Sequence, residues 1–437
     1  MLGRAKELRQ EFAATAAQVD QTGAAPFDNL KRLQESGIAR LSVPPKLGGH
    51  ASDDCTSSDL DIFSEVLVEL SAGESSTAQI WSIHTIVARL IFSSQLEMNA
   101  DLQEQLAADV LAGRVRLSNA SAEGGAKRGG FATTATRKGD HFIINGTKIF
   151  ATGSEGSDYA IVPAISDGVP GGGMAYFLIP LGTEGVREHH DWDNMGQRAT
   201  GSGTITFEQV AVPARNYLAI KGGVESMFGP TSAFGLVFQT GINSVILGMG
   251  LGALDVTCEF VRKFARPNLP TIDSAAEDPI NQWHAGRLSA QLAAARALLR
   301  ESTQAIWAFE RDGGDRGPVS VHMMRSKYSI NEAVLESTGQ LHRLAGGRAT
   351  GNKYRLDRFW RNARTLTVHD SIDAKLQQIG AFEISGTAPP PTITSQAPSS
   401  VGELLDLPSY PNVARCLATT KAQSARETAQ KIPAAPV

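Results

Sequence analysis

The sequence predicts a mainly α fold of the α+β class, with a helical region, a central β-barrel and a C-terminal four-helix bundle in that order. Three observations carry this. Apolar residues recur at three and four positions from Leu2 to about Gly113, the period shortens to two with crowded turn signals between about Arg114 and Lys221, and long helical repeats return after Gly222. The implied regions are an N-terminal helical domain over 1–113, a β domain over 114–222, a bundle over 223–387 and a partly irregular tail over 388–437.

In the first region Pro26, Pro44, Pro45 and the Gly48-Gly49 pair break the helices, and Ile62, Val66 and Leu70 share one face of a helix that Ser57 or Ser58 caps. The β region is clearest at Phe142 to Phe150, where Asn145-Gly146 suits a tight hairpin turn. Pro170 to Gly173 read as a mobile loop and Ala175 to Leu181 as the next strand. Leu288, Leu292, Ala295 and Leu299 repeat at four, three and four, a bundle seam that continues to about Ser385. Beyond it Thr387 to Thr394, rich in proline, stops regular structure, and the tail to Val437 reads as mobile.

Composition narrows the function. With 437 residues and 41 basic against 45 acidic side chains spread evenly, the chain offers no concentrated field for nucleic acid. The three cysteines, Cys55, Cys258 and Cys416, form no disulfide framework or thiolate metal site, which fits a reducing cytoplasm. The most apolar stretch, Phe234 to Leu254, is interrupted by Gln239, Thr240, Asn243 and Ser244, so it reads as a buried helix rather than a membrane span. Its Gly241, Gly248 and Gly252 let another helix approach closely. His189-His190 lacks a zinc-ligand spacing and reads as a solvated loop.

Four segments in fixed order carry a resemblance. They are Leu33-Gln-Glu-Ser-Gly-Ile-Ala-Arg-Leu-Ser-Val-Pro44 with Gly48-Gly49, Asn145-Gly-Thr-Lys-Ile-Phe-Ala-Thr-Gly153, Met195-Gly-Gln-Arg-Ala-Thr-Gly-Ser202, and Asp278-Pro-Ile-Asn-Gln282 through Ala293-Ala-Ala-Arg-Ala-Leu298. Together they resemble the acyl-CoA dehydrogenase superfamily from about Arg4 to Thr387. The resemblance implies a flavin, FMN or FAD, with Phe150 where the family places a tryptophan beside the ring and Thr152 at its threonine near N5. Two residues apart on a strand, these would share a face. Read without the motif, Phe150 is core and Thr152 a strand-favouring filler. Asn119 and Ser121, in Leu117-Ser-Asn-Ala-Ser-Ala-Glu-Gly124, occupy the family's flavin loop. That loop lacks the usual proline and resembles the NAS-type segment of flavin monooxygenases on the same fold. Arg198, Thr200 and Ser202 match residues that hold flavin phosphate or pyrimidine, although Arg198 equally suits a brace of the barrel.

Acyl-CoA dehydrogenation needs a carboxylate base at the substrate α carbon. The family supplies it as a glutamate either after the last bundle helices or on an earlier bundle helix. The first place reads Leu366-Thr-Val-His-Asp-Ser371, the second lies near Phe238 to Ile242, and neither holds a glutamate. Arg361 to Asp370 is instead similar to the dibenzothiophene monooxygenase group. That likeness implies reduced flavin from a separate NAD(P)H flavin reductase, O2, and a C4a-hydroperoxide that oxygenates a small sulfur, nitrogen or aromatic substrate. His369 is then the acid-base residue beside Asp370, since histidine suits a proton moving near neutral pH. A His-Asp pair in a loop is otherwise a surface pair. His84 matches an active-site histidine region, or is a satisfied core histidine, and Gln79 and Ile83 stand where the sulfur-oxidising members show His and Tyr. Gln340, Gly346 and Gly347 match the segment that approaches a neighbouring subunit's flavin, which implies a homotetramer. Two other readings stand beside this one: an acyl-CoA dehydrogenase with FAD and Asp370 as base, and a non-catalytic scaffold.

Overall fold

The computed structural model describes residues 1–124, 132–166, 168–169 and 173–391. Most of the expected tail and Pro170 to Gly172 of the expected loop lie outside them. The first helices are α1 (Leu2–Thr22), α2 (Phe27–Glu35), α3 (Leu60–Gly73), α4 (Ser75–Phe92) and α5 (Ala100–Leu111), with β1 (Leu96–Glu97) between the last two. Then come β2 (Leu117–Asn119), β3 (Thr134–Lys138), β4 (His141–Lys148), β5 (Tyr159–Ile165), β6 (Met174–Pro180), β7 (Val186–Glu188), β8 (Ile205–Pro213) and β9 (Tyr217–Ile220). Helices α6 (Val224–Phe228), α7 (Phe234–Phe264), α8 (Pro279–Asp312), α9 (Arg316–Ala345), α10 (Asp357–Thr367) and α11 (Ile372–Ser385) follow.

The expected barrel is a curled nine-stranded sheet in the order β1-β9-β6-β5-β3-β4-β8-β7, with β2 added parallel to β5. Phe142, Ile144, Phe177, Phe207 and Val210 fill its interior. Asn145-Gly146 is not its hairpin turn. The β3–β4 turn falls at Gly139-Asp140, because Lys138 pairs with His141. Asn145 and Gly146 instead lie inside β4 at a register shift against β8, where a Cβ on Gly146 would collide with Thr133 and Asn145 Oδ1 accepts from the Gln209 amide, 2.8 Å. The Asn-Gly pair thus makes a bulge, a second use of the same permissive backbone.

The helices at the two ends of the chain share one core. Phe63, Val66 and Leu67 of α3 pack with Val245 and Ile246 of α7, Leu292, Ala295 and Leu299 of α8, and Ile330 of α9. Ile62 departs from the expected face and is 47% exposed, and Asp59 rather than Ser57 or Ser58 precedes α3, its carboxylate engaged by Arg89. By length and composition α7 is apolar enough to cross a bilayer, yet it is covered by the other helices. Its glycines explain how they come so close: a Cβ on Gly241 would meet Ser82 of α4, and on Gly248 or Gly252 the α3 backbone at Val68 or Ala72. Ser71 Oγ donates to the Val245 carbonyl across that contact, 2.6 Å.

Gly252→Ala tests this packing. Helix propensity alone would favour alanine by about 1 kcal/mol, but the added methyl runs into the α3 backbone, and overpacking of that kind costs about 1–3 kcal/mol. A lowered urea midpoint is expected; an unchanged or raised one would show that the helices have slack.

Candidate active site

Three regions of the chain meet around Gln197. Its amide nitrogen Nε2 donates to Gln79 Oε1 of α4 at 2.5 Å and to the Ser75 carbonyl at 3.2 Å, while its Oε1 accepts from Ser75 Oγ at 2.6 Å. Its backbone N–H donates to Asn362 of α10, 2.8 Å, and its carbonyl accepts from Trp192 Nε1, 2.8 Å, and Thr200 Oγ1, 2.9 Å. Gln79, the departure from the sulfur-oxidising pattern, therefore spends its side-chain carbonyl on this seam.

Next to the hub lies a chain of hydroxyls. Ser202 Oγ is 2.9 Å from Thr152 Oγ1 and 2.8 Å from Thr200 Oγ1, and all three residues are buried. Phe150 and Thr152 do not share a strand face as expected, because β4 ends at Lys148. Phe150 has φ 54°, and a tight turn follows in which the Thr152 N–H donates to the Phe150 carbonyl, 2.9 Å. The turn leaves the Phe150 ring 62% exposed, edge-on to Trp192 at 6.2 Å, so it is a wall and not core. Asn119 ends β2, and its Oδ1 accepts from Ser121 Oγ at 2.5 Å. An open aromatic face beside several hydroxyl and amide groups fits a flat heteroaromatic cofactor with polar edges. Arg198 takes the bracing role: its Nε donates to the Asp20 carbonyl at the end of α1, 3.0 Å.

His84 is buried on α4, and its Nδ1 accepts the Leu117 N–H of β2 at 3.1 Å, which places the ring proton on Nε2. Burial first, then the Arg116 guanidinium, push its pKa down to about 4, so the ring is neutral. Nε2 has no protein acceptor among the described residues. One half of His84 is a satisfied core histidine and the other half is a free donor.

His369 and Asp370 form the loop between α10 and α11, and they face different ways. His369 stacks at a tilt on Phe238 of α7, centroids 5.9 Å apart, and Phe238 also touches the apolar cluster that holds Ile83 and Val87. Surrounding protein, then the Lys327 ammonium, push His369 below the usual histidine range, and Asp370 opposes them. The residue keeps a solvent-exposed side, so water screens part of that effect. Asp370 points inward. Lys327 Nζ lies 2.7 Å from Oδ1 and Lys375 Nζ 2.8 Å from Oδ2, with both ammoniums nearly buried, and Gln239 Nε2 donates to Oδ2, 3.1 Å. The Lys327 contact is a close ion pair without hydrogen-bond alignment, which is why Oδ1 also counts among the buried oxygens lacking an aligned donor.

Burial alone would raise the Asp370 pKa, but the two ammoniums outweigh it and hold it at about 2. A carboxylate with so little proton affinity, held by two ammoniums and an amide donor, is unsuited to pulling a proton from carbon. The Asp370 dehydrogenase reading loses its base. Gln239 lies in the Phe238–Ile242 stretch near which the family's second base would fall, so that stretch and Asp370 meet in one hydrogen bond and neither offers a free carboxylate. Lys327, Lys375 and Gln239 escaped the sequence reading. Nothing local in the sequence shows that both lysines reach Asp370.

Gln340, Gly346 and Gly347 are not brought to this site. Gln340 is thirteen positions beyond Lys327 on α9, about 20 Å along the axis, and Gly346 and Gly347 close that helix with open space around them. His189 pairs with Thr206 Oγ1 at 3.1 Å, and among the described residues no group of three or more His, Cys, Asp or Glu side chains is placed to hold a metal ion.

Asp370→Asn would leave two buried ammoniums facing a neutral amide, a loss of roughly 3–5 kcal/mol. Because the folded pKa is depressed below the unfolded value of about 3.9, the stabilisation is full above about pH 4 and fades as the pH falls toward about 2. The urea-midpoint gap between wild type and Asp370→Asn should narrow from about pH 6 to about pH 3. A gap independent of pH would mean the clamp does not hold Asp370 ionised.

Comparison with known proteins agrees with this geometry. Residues 119–210 match the acyl-CoA dehydrogenase middle domain and 240–374 the acyl-CoA dehydrogenase C-terminal domain. Dibenzothiophene monooxygenase of Mycolicibacterium goodii is 32% identical over 404 residues, 90% of this chain and 95% of that protein. The probable FMNH2-dependent monooxygenase SfnC of Pseudomonas putida is 29% identical over 90% of this chain and 97% of its own length. The crystal structure of FMN-bound TdsC from Paenibacillus sp. A11-2 superposes with a TM-score of 0.81 at 27% identity, covering 90% of this chain and 99% of that one. With the base positions empty and the aromatic and hydroxyl cradle intact, the chain belongs to the acyl-CoA dehydrogenase superfamily, in the flavin-dependent monooxygenase branch that contains the dibenzothiophene monooxygenases.

Proposed function

We propose that the chain transfers one oxygen atom of O2 to a small organosulfur compound, using reduced FMN delivered by a separate NAD(P)H flavin reductase. The observation that carries this reading is the clamped Asp370: with no free carboxylate at either base position, the loop offers the His369 imidazole instead. Relatives named for dibenzothiophene oxidation and for FMNH2 dependence, and an FMN-bound structural neighbour, support the substrate class and the cofactor.

Thr152, Thr200 and Ser202 would hold the polar edge of the flavin, with Asn119 and Ser121 close by in sequence to β2, and Phe150 would cover a face. The bound group supplies the redox chemistry that makes oxygen reactive toward a soft nucleophile. The protein's own task is to keep water away and control one proton. Phe238, Ile83 and Val87 make the apolar wall, and His369 at its margin is a neutral imidazole able to hold or donate a proton. His84 Nε2–H is a second, fixed donor.

Mixing protein, reduced FMN and 18O2 with dibenzothiophene or a dialkyl sulfide should give product carrying labelled oxygen. His369→Ala should lower the product per O2 consumed by about tenfold or more, within the range for loss of a positioned acid-base group, and release the balance as hydrogen peroxide. Unchanged coupling would remove His369 from the reaction. Bleaching of bound oxidised flavin by acyl-CoA thioesters would overturn the oxygenase reading.

A homotetramer in the cytoplasm completes the proposal. Among the described residues Gln340 Oε1 and His342 Nδ1 on α9, with His284 Nδ1, Arg287 Nε and Gln291 Oε1 on α8, have no hydrogen-bond partner, and Trp283 beside them is 63% exposed. Polar atoms so placed suit a second copy. Light scattering should give about four times the 46.4 kDa chain mass, and a monomer would sink this part.

A further inference from the structure

A small cavity adjoins the groups that hold Asp370. Gly235, Leu236 and Gln239 of α7, Arg316, Ser320 and Lys327 of α9, and Lys375 of α11 line it, with Pro390 beyond them. Its charge is unbalanced. Arg316, Lys327 and Lys375 are all nearly buried, yet the one carboxylate among them, Asp370, already serves both lysines.

Arg316 is the telling residue. It is 6% exposed, its Nε donates to the Ser232 carbonyl at 2.8 Å and its Nη1 to Ser320 Oγ at 3.0 Å, and among the described residues no ion pair joins it to a carboxylate. Neighbouring Asp315 is turned away to cap α9 through the Gly317 N–H, 2.8 Å. A guanidinium taken out of water without a counter-charge is costly, and the remedy proteins use is a bound anion. Ser320 Oγ accepts from Arg316 and keeps its own proton to donate.

We infer that this cavity is a binding site for a small oxyanion, gripped by Arg316 with Ser320, Lys327 and Lys375. The cavity volume is about 30 Å³, space for about two water-sized groups, which matches the two oxygens of a carboxylate or sulfinate and is tight for anything bulkier. Two sources share this chemistry: the anionic end of a substrate or product, or a free anion that acts on the loop through Asp370. The site does not rest on the oxygenase reading, because it can be occupied with no flavin present.

The test is calorimetric titration of the purified full chain with acetate and with methanesulfinate in a chloride-poor buffer, with dimethyl sulfone as a neutral control of similar size. Saturable binding of at least one anion is expected, weakened about tenfold in Arg316→Gln, the equivalent of losing one charge-assisted contact, and partly restored in Arg316→Lys. Flavin binding by each variant shows that it is folded. Competition by the anion against an organosulfur substrate that carries an anionic group assigns the site to that substrate's headgroup; a changed pH profile at constant KM assigns it to a free anion. Absence of saturable binding to the wild type, or equal affinity in folded Arg316→Gln, overturns the inference.

Discussion

The geometry of the site depends on one buried glutamine. Gln197 sits at φ 50°, a left-handed conformation that glutamine does not favour, and is 1% exposed. The polar atoms of its side chain and backbone are satisfied by three parts of the chain: α4 through Ser75 and Gln79, α10 through Asn362, and the loops of the sheet through Trp192 and Thr200. An unmet buried donor or acceptor costs about 1–3 kcal/mol, so the six contacts hold the residue against its backbone preference. Because Asn362 precedes His369 by two helical turns and Thr200 joins the Thr152–Ser202 chain, the same residue registers the proton-handling loop against the flavin cradle.

Charge arrangement separates this site from that of a dehydrogenase more deeply than one side-chain exchange. A base at 370 would need a carboxylate free to accept a proton, whereas Lys327 and Lys375 approach from α9 and α11 and keep it ionised. Gln239, in the stretch near which the other base would fall, accepts from Lys327 at 2.9 Å while donating to Asp370, so it relays between the opposite charges. Restoring a glutamate at 370 alone would leave that field in place. The lysines also favour a neutral His369, since an imidazolium there would add a third positive charge to a partly desolvated corner.

What the sequence disclosed follows from how far each constraint reaches along the chain. The α7 glycines, the α8 seam and the change of period near 114 and 222 are local patterns, and each has a direct counterpart in the helices and strands. Asn145-Gly146 shows the limit of such patterns: the pair reports a permissive backbone, but only the β8 partner decides between a turn and a bulge. The strand-face argument for Phe150 and Thr152 failed for a similar reason, as the strand ends two residues before Phe150. Lys327 and Lys375 were illegible because their partner is 43 positions from one and 5 from the other, on elements that meet only after folding.

Backbone strain gives an independent view of the cradle. A bulky residue at positive φ is disfavoured by about 1–3 kcal/mol, and Phe150 carries it with an exposed ring that earns nothing from core burial. The conformation is enforced from both sides: the Ala151 N–H donates to the Gly203 carbonyl, 3.1 Å, and the Gly153 N–H to the Thr200 carbonyl, 2.9 Å. Those two bonds tie the Phe150 turn to the segment that begins at Gln197, which is itself left-handed, as is Gly201. Strain elsewhere has a different setting, as at Gln209, which faces the β4 bulge. Two opposed left-handed segments, locked to one another by backbone hydrogen bonds, turn an aromatic ring outward and three hydroxyls inward; a relaxed strand would have set Phe150 and Thr152 on one face.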